Sequence, residues 1–257
     1  MVDVIAHKDK HEFALYKDDL SLLIQKKGSG DSFIMADETL LHRMMHVLRL
    51  RNNDTVILFD RDVYIIATID AFVGKKQIHI IIHSRHSTVA LHPNITFLLP
   101  MLKREDYESA LYTLAEVGAS NIQLIFTHKT GNKWSGERDK ERAQRIIIAA
   151  AEQSKNFAYP QLHEPISLYT ALEKYNSYSS KLFFDPQGAH FFDIMQRLHS
   201  DQPKEVLLLV GPEGDLTSQE KEVVRANNFI FCALTPTIIR AVQATGLAVG
   251  FIRSLLL

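Results

Sequence analysis

Glu205-Val-Leu-Leu-Leu-Val210 runs into Gly211-Pro-Glu-Gly-Asp215 and then into Leu216-Thr-Ser-Gln-Glu220. Six residues, mostly branched and apolar, predict a buried strand, and two glycines with a proline end it abruptly. Thr217 with Glu220 three residues later is the pattern of a capping box, so a helix starts there. A buried strand, a tight turn and a helix N-terminus form the unit on which open α/β sheets carry ligands, because backbone N–H groups at the helix start point outward unpaired. A second unit follows closely: Phe229-Ile-Phe-Cys-Ala-Leu234, a break at Thr235-Pro236-Thr237, then Ile238-Ile239-Arg240 leading into a helix rich in small residues. Two such loops close in sequence predict one composite pocket.

Working outward, Ile95–Leu99, Ile122–Phe126, Lys181–Phe184, Val206–Val210 and Ile230–Leu234 read as strands. Arg104–Val117 and about Glu137–Phe157 read as helices, the first ended by Gly118. Strand–helix alternation predicts an α/β fold with a parallel sheet covered on both faces. The N-terminal part has a different rhythm. Leu20–Gln25, Ser32–Met35, Thr55–Phe59, Val63–Ile69 and Gln77–His83 read as short strands between turn signals, with one helix at about Asp37–Leu48. This predicts a small β-barrel. Ser84–Asn94 reads as a linker, which places a β-barrel unit at 1–88 and an α/β unit at 89–257.

The chain of 257 residues is 46% hydrophobic and 23% charged, the composition of an ordinary globular protein. No apolar run approaches the length of a membrane span, and the N-terminus has no cationic region followed by an apolar one. Cys232 is the only cysteine and lies within an apolar run, so it is expected in the core. Without an internal disulfide, a cytoplasmic location is expected. The net charge of −1 gives no global argument for nucleic acid. Locally, residues 41–85 and 127–155 each hold seven Lys/Arg against four Asp/Glu. A basic face of that kind fits selective RNA contact, and an ordinary solvated surface fits the count equally well.

Several chemistries lack their signatures. Gly28-Ser-Gly30 has no third glycine and precedes a strand, no phosphate-binding loop motif occurs, and no Gly-x-Ser-x-Gly elbow is present. The first α/β strand ends in Pro100-Met-Leu-Lys-Arg104, where a Rossmann enzyme would need glycines. His42 with His46 and His79 with His83 have a metal-ligand spacing, but no cysteine or acidic cluster completes a site. No metal is expected. Glu105 and Asp106 favour the dipole of the helix they start. Glu152-Gln153-Ser154 fits equally a helix end or a polar cluster facing a cleft. Arg240 at a helix start is unfavourable for the dipole. That points to a specific partner such as a phosphate, a carboxylate or a base, with a surface ion pair as the alternative.

These residues together resemble the RsmE family of 16S ribosomal RNA uracil-N3 methyltransferases, within the trefoil-knotted SPOUT superfamily. The resemblance spans nearly the whole chain. It rests on His46-Val-Leu-Arg49 followed by Val56–Asp60, on Leu114-Ala-Glu-Val-Gly118, and on Ala150-Ala-Glu-Gln-Ser154 with Pro160. It continues with Leu209-Val-Gly-Pro-Glu-Gly214, with Leu216-Thr217 and Glu220, and with Ile238-Ile-Arg240.

The resemblance implies a PUA-like barrel that helps hold RNA and a knotted methyltransferase domain that binds S-adenosyl-L-methionine. It also implies a homodimer with each pocket at the subunit interface, and 16S rRNA or the assembled small ribosomal subunit as partner. Carried over, the cofactor pocket comprises Phe184, Asp185 and Pro186, then Val210, Gly211, Pro212, Glu213 and Gly214, and finally Leu234 and Thr235 through Ile238 and Ile239. Arg240 is the expected catalytic residue, stabilising charge on the uracil. Arg49, Arg51, Lys129, Lys133, Arg138 and Arg142 are the expected RNA contacts. The chain departs from the family pattern in Asp215 for a second glycine, Val242-Gln243 for a Glu-Thr pair, Thr113 for a lysine, and the lack of any arginine before Arg43. An alternative reading is a non-catalytic RNA- or ribosome-binding protein on the same scaffold.

Overall fold

The computed structural model describes residues 12–74, 76–130 and 134–256. The chain divides into two compact units, Met1–Thr88 and Val89–Leu257.

In the first unit, β1 (Phe13–Tyr16), α1 (Leu20–Leu23), β2 (Ser32–Met35), α2 (Glu38–His42), β3 (Thr55–Phe59), β4 (Val63–Val73) and β5 (Gln77–Ser87) follow one another. They build a five-stranded sheet in the order β1-β3-β4-β5-β2, antiparallel except for the β1–β3 pair. Val63, Ile65, Ala67 and Ile69 point into the core, as do Ile78, Ile80 and Ile82 on the neighbouring strand. That period of two is what a one-sided sheet requires.

Two expectations are corrected here, and the helix at about Asp37–Leu48 is present in a modified form. Leu20–Gln25 is not a strand: α1 occupies it, because Leu20 and Ile24, four apart, are both fully buried while Leu22 is 74% exposed. The turn is fixed by the buried Asp60 carboxylate, which accepts from Ser21 N–H at 2.5 Å and from Asp62 and Val63 N–H at 2.8 and 2.9 Å. The helix expected to Leu48 stops at His42 and widens into a π turn over Arg43–Val47, closed by Leu48 N–H on Arg43 C=O at 2.9 Å. Arg49 then takes a left-handed φ of 56° to leave the turn. Finally, β5 runs on to Ser87, shortening the expected linker.

In the second unit the strands are β6 (Asn94–Pro100), β7 (Asn121–Phe126), β8 (Gln161–Ser167), β9 (Ser180–His190), β10 (Glu205–Val210) and β11 (Ile230–Ala233). Between and after them lie α3 (Arg104–Glu116), α4 (Glu137–Ser154), α5 (Leu168–Lys174), α6 (Phe191–Asp201), α7 (Ser218–Ala226) and α8 (Ala241–Leu255). The sheet order is β11-β9-β10-β6-β7-β8 and every pair is parallel. β10 is central, and all its residues from Val206 to Val210 are buried, as a strand covered on both faces must be.

The order puts β11 against β9, and their register breaks after Phe231. Ile230 and Phe231 pair with Leu182 and Phe183, but Cys232 and Ala233 pair with Ala189 and His190. Residues 184–188 of β9 thereby bulge away from β11 without leaving the strand, and Phe184 still pairs with Val210 of β10. Cys232 sits in the core with its thiol aimed at Phe183 C=O, and burial pushes its pKa up to about 12. Arg253 anchors α8, donating to Gly118 C=O and Pro93 C=O at 2.6 to 2.9 Å and to Ser120 Oγ at 3.1 Å. Among the described residues no helix is long and apolar enough to cross a membrane.

Candidate active site

Parallel strands that lie side by side bring the loops at their C-terminal ends together. The irregular second half of β9 and the loops after β10 and β11 therefore gather at the C-terminal end of the sheet, and they carry Phe184–Pro186, Gly211–Asp215 and Leu234–Ile239 respectively. Phe184, Asp185, Val210 and Pro212 are buried, Gly211, Leu234, Thr235 and Ile239 half-buried, and Glu213, Gly214 and Ile238 exposed. Buried apolar side chains thus lie beside an exposed, glycine-bearing turn.

The Gly211–Asp215 turn is held from several sides. Asp215 takes a left-handed φ of 58°, and its N–H donates to Pro212 C=O at 2.8 Å. Its Oδ1 accepts from Leu216 N–H at 2.7 Å and lies 2.9 Å from where a Cβ on Gly211 would stand, so a side chain there would push the Asp215 carboxylate off this bond. Glu213 Oε1 accepts from the backbone N–H of Lys103 at 2.9 Å, linking the turn to the start of α3. Lys129 Nζ donates to Gly214 C=O at 2.7 Å, linking it to the loop after β7. Lys221 Nζ, from the first turns of α7, lies 2.6 Å from both Asp215 Oδ2 and Asp185 Oδ2.

The predicted capping box is present: Thr217 Oγ1 accepts from Glu220 N–H, and Glu220 Oε2 accepts from Thr217 N–H at 2.8 Å. The same carboxylate does a second job that sequence did not reveal, since its Oε1 accepts from His128 N–H at 2.7 Å. Burial alone would raise the Glu220 pKa, but hydrogen bonds from Thr217 and His128 outweigh it and hold the carboxyl below its ordinary range.

Arg240 is the N-cap residue of α8, exposed, with Nε donating to Gln243 Oε1 at 3.1 Å. It opens onto a cleft of about 460 Å³ whose walls are Glu105, Asp106, Ser109 and Thr113 on one side and Arg240, Val242, Gln243 and Gly246 on the other. Thr113, Val242 and Gln243, three of the positions that depart from the family pattern, thus face one another. α3 and α8 pack so closely that a Cβ on Gly246 would meet Thr113 Cγ2 at 2.7 Å.

The basic residues are dispersed. Arg142 forks onto Glu108 with bonds of 2.7 and 2.9 Å, and Lys129 is engaged with Gly214 as described. Arg138 is exposed on the first turn of α4, Arg49 and Arg51 are exposed in the first unit, and Lys133 lies outside the described residues. Glu152 is buried, and Ser154 Oγ donates back to Ala150 C=O at 2.8 Å as α4 ends. The His42 and His46 rings lie 4.9 Å apart, tilted by 47°, and His79 Nδ1 pairs with Asp70 at 2.7 Å. No group of three metal-ligating side chains occurs among the described residues.

The donor set fits S-adenosylmethionine and not a polyphosphate. Lys129 and Lys221, the ammonium groups against the turn, are spent on a carbonyl and two carboxylates. Asp185, Glu213 and Asp215 would repel phosphate and tolerate a sulfonium cation, while the apolar side chains and backbone groups suit adenosine.

Comparison with known proteins places the chain among methyltransferases in sequence and fold. The chain is 28% identical over 263 aligned positions to the ribosomal RNA small subunit methyltransferase E of Synechocystis, covering 92% of this chain and 83% of that one. It is 22% identical to the protein of the same name from Mesomycoplasma hyopneumoniae, covering 82% and 89%. In structure it resembles a ribosomal RNA small subunit methyltransferase E from Neisseria gonorrhoeae solved with S-adenosylmethionine, at a TM-score of 0.79, 23% identity and coverage of 95% and 98%. A profile of the RNA methyltransferase domain matches residues 90–253, essentially the whole parallel sheet with its helices. The chain belongs to the RNA methyltransferase domain family.

Proposed function

We infer that this chain is an S-adenosylmethionine-dependent ribosomal RNA methyltransferase, and that it acts on N3 of a uridine in the small-subunit RNA. The observation that carries the reading is the convergence of the bulged part of β9 with the loops after β10 and β11 at one end of the sheet, with a turn whose lysines and carboxylates suit a sulfonium nucleoside. Membership of the family and relatives named small subunit methyltransferase E support the substrate.

When bound, the cofactor supplies an electrophilic methyl group on sulfur. The protein's work is then to position, since an in-line displacement gains most from holding the two reactants in register. Phe184, Val210, Leu234 and Ile239 exclude water from one side, and Gly211 and Gly214 let backbone groups approach without side-chain obstruction. Uracil N3 carries a proton that must leave, which places negative charge on the flanking oxygens. Arg240, at the mouth of the cleft between α3 and α8, provides the guanidinium that stabilises it.

The second unit carries a trefoil knot in this reading. Support comes from the register break between β9 and β11 and from Gly188, whose backbone passes so close to Cys232 that no Cβ fits between them. The first unit, 1–88, is a PUA-like RNA holder, and two copies of the chain form the active species, with 16S rRNA or the assembled subunit as partner. Calorimetric titration of the purified protein with S-adenosylmethionine tests the cofactor assignment: saturable binding is expected. No heat over a millimolar range would leave only a non-catalytic RNA-binding scaffold.

A further inference from the structure

We propose that Lys221, bridging Asp185 and Asp215, is a positioning residue that locks two walls of the cofactor pocket together. The proposal rests on the cofactor assignment above. Asp185 belongs to the bulged stretch of β9, Asp215 to the turn after β10, and Lys221 to α7. The ammonium lies 2.6 Å from a carboxylate oxygen of each. Asp185 is 4% exposed, and its other oxygen accepts from Gln187 N–H at 2.8 Å, so the carboxylate also shapes its own bulge. The Lys221 side chain runs past the Phe183 ring, with Nζ 6.0 Å from the centroid. Burial alone would lower its pKa, but hydrogen bonds to Asp185 and Asp215 and their charges outweigh this, so it stays charged.

Asp215 is the residue that completes the bridge. A glycine there would satisfy the left-handed backbone equally well and leave Lys221 with one partner. The aspartate adds the second anchor and, through Oδ1 on Leu216 N–H, fixes its own side chain. The two segments come from separate strand–helix units of the chain, one an irregular stretch of β9 and the other a turn without regular structure. Holding them at one separation before the ligand arrives spares the ordering that binding would otherwise demand.

The test is a double-mutant cycle on cofactor affinity. Asp215→Asn keeps the left-handed backbone and the bond to Leu216 while removing the charge. Asp215 is about half exposed, its side chain 52% accessible, so this variant is expected to fold. Lys221→Met removes the bridge, and Lys221→Arg restores a cation able to reach both carboxylates. Each variant and the double variant is titrated with S-adenosylmethionine, with thermal unfolding recorded alongside.

Asp215→Asn is expected to weaken binding about threefold to tenfold and Lys221→Met about tenfold or more. The double variant should be no weaker than Lys221→Met alone, and Lys221→Arg should recover affinity to within about threefold. Wild-type affinity in folded Asp215→Asn, or losses that simply add in the double variant, would overturn the proposal. Absence of binding by the wild-type protein would instead overturn the cofactor assignment on which it rests.

Discussion

Replacing Arg240 with alanine is expected to lower methyl transfer to ribosomal RNA about 10²–10³-fold, with S-adenosylmethionine affinity unchanged within about twofold. The size follows from what the side chain is asked to do. A guanidinium aimed at oxygens that gain charge only as N3 loses its proton stabilises the transition state more than the ground state, so the loss falls on turnover. Its location argues for separability. Arg240 precedes α8 and bonds to Gln243 at 3.1 Å, and no hydrogen bond ties it to the Gly211–Asp215 turn among the described residues. Truncation removes an exposed group and leaves the apolar side chains beside the turn intact. Single-turnover methylation with saturating cofactor, beside calorimetry of the same variant, checks both halves. Full activity would remove Arg240 from the chemistry, and a parallel collapse of cofactor affinity would make it a binding residue.

Gly188→Ala is expected to destabilise the second unit by about 3 kcal/mol, enough to lower its unfolding midpoint by roughly 6–12 °C. A Cβ at this position would stand 2.4 Å from Cys232 N, 2.5 Å from Phe231 C and 2.6 Å from Cys232 Cα. All three are backbone atoms of β11, which is pinned in the sheet against β9, so none can yield without breaking the β9–β11 pairing. The glycine is required here by close approach and not by its φ angle. Because the strain falls on the same bulged stretch of β9 that carries Phe184 and Asp185, cofactor affinity should drop along with stability. Thermal unfolding monitored by circular dichroism gives the answer, and an unchanged midpoint would mean that the two strands do not cross so tightly.

What could be read in advance was local. The Thr217–Glu220 box and the unbroken apolar run of β10 are decided by residues within one turn or one strand of each other, and both stand as read. The α/β alternation follows from the same kind of signal. The apolar content of Leu20–Gln25 suggests a strand, but the spacing decides: Leu20 and Ile24 are buried while Leu22 is not, which is a helical turn. β8 has no readable pattern, since an edge strand carrying Pro165 needs no buried alternation, and none of its residues is fully buried. Asp215 stood out as an unexpected charge after the glycine turn, yet its partner could not be named. Lys221 meets Asp185 only because β9 and β10 are neighbours in the sheet, and nothing local in sequence carries that information. The same holds for Lys129 on Gly214 and for His128 on Glu220, contacts made across the C-terminal end of the sheet by residues far apart in the chain.

The central claim is tested most directly by incubating small ribosomal subunits that lack the modification with the purified protein and methyl-labelled S-adenosylmethionine, then digesting the RNA to nucleosides and identifying the labelled one by mass spectrometry. The account predicts one labelled nucleoside, N3-methyluridine, at close to one per subunit and absent with Arg240→Ala. Label on any other nucleoside, or none in a preparation that binds the cofactor, would contradict it.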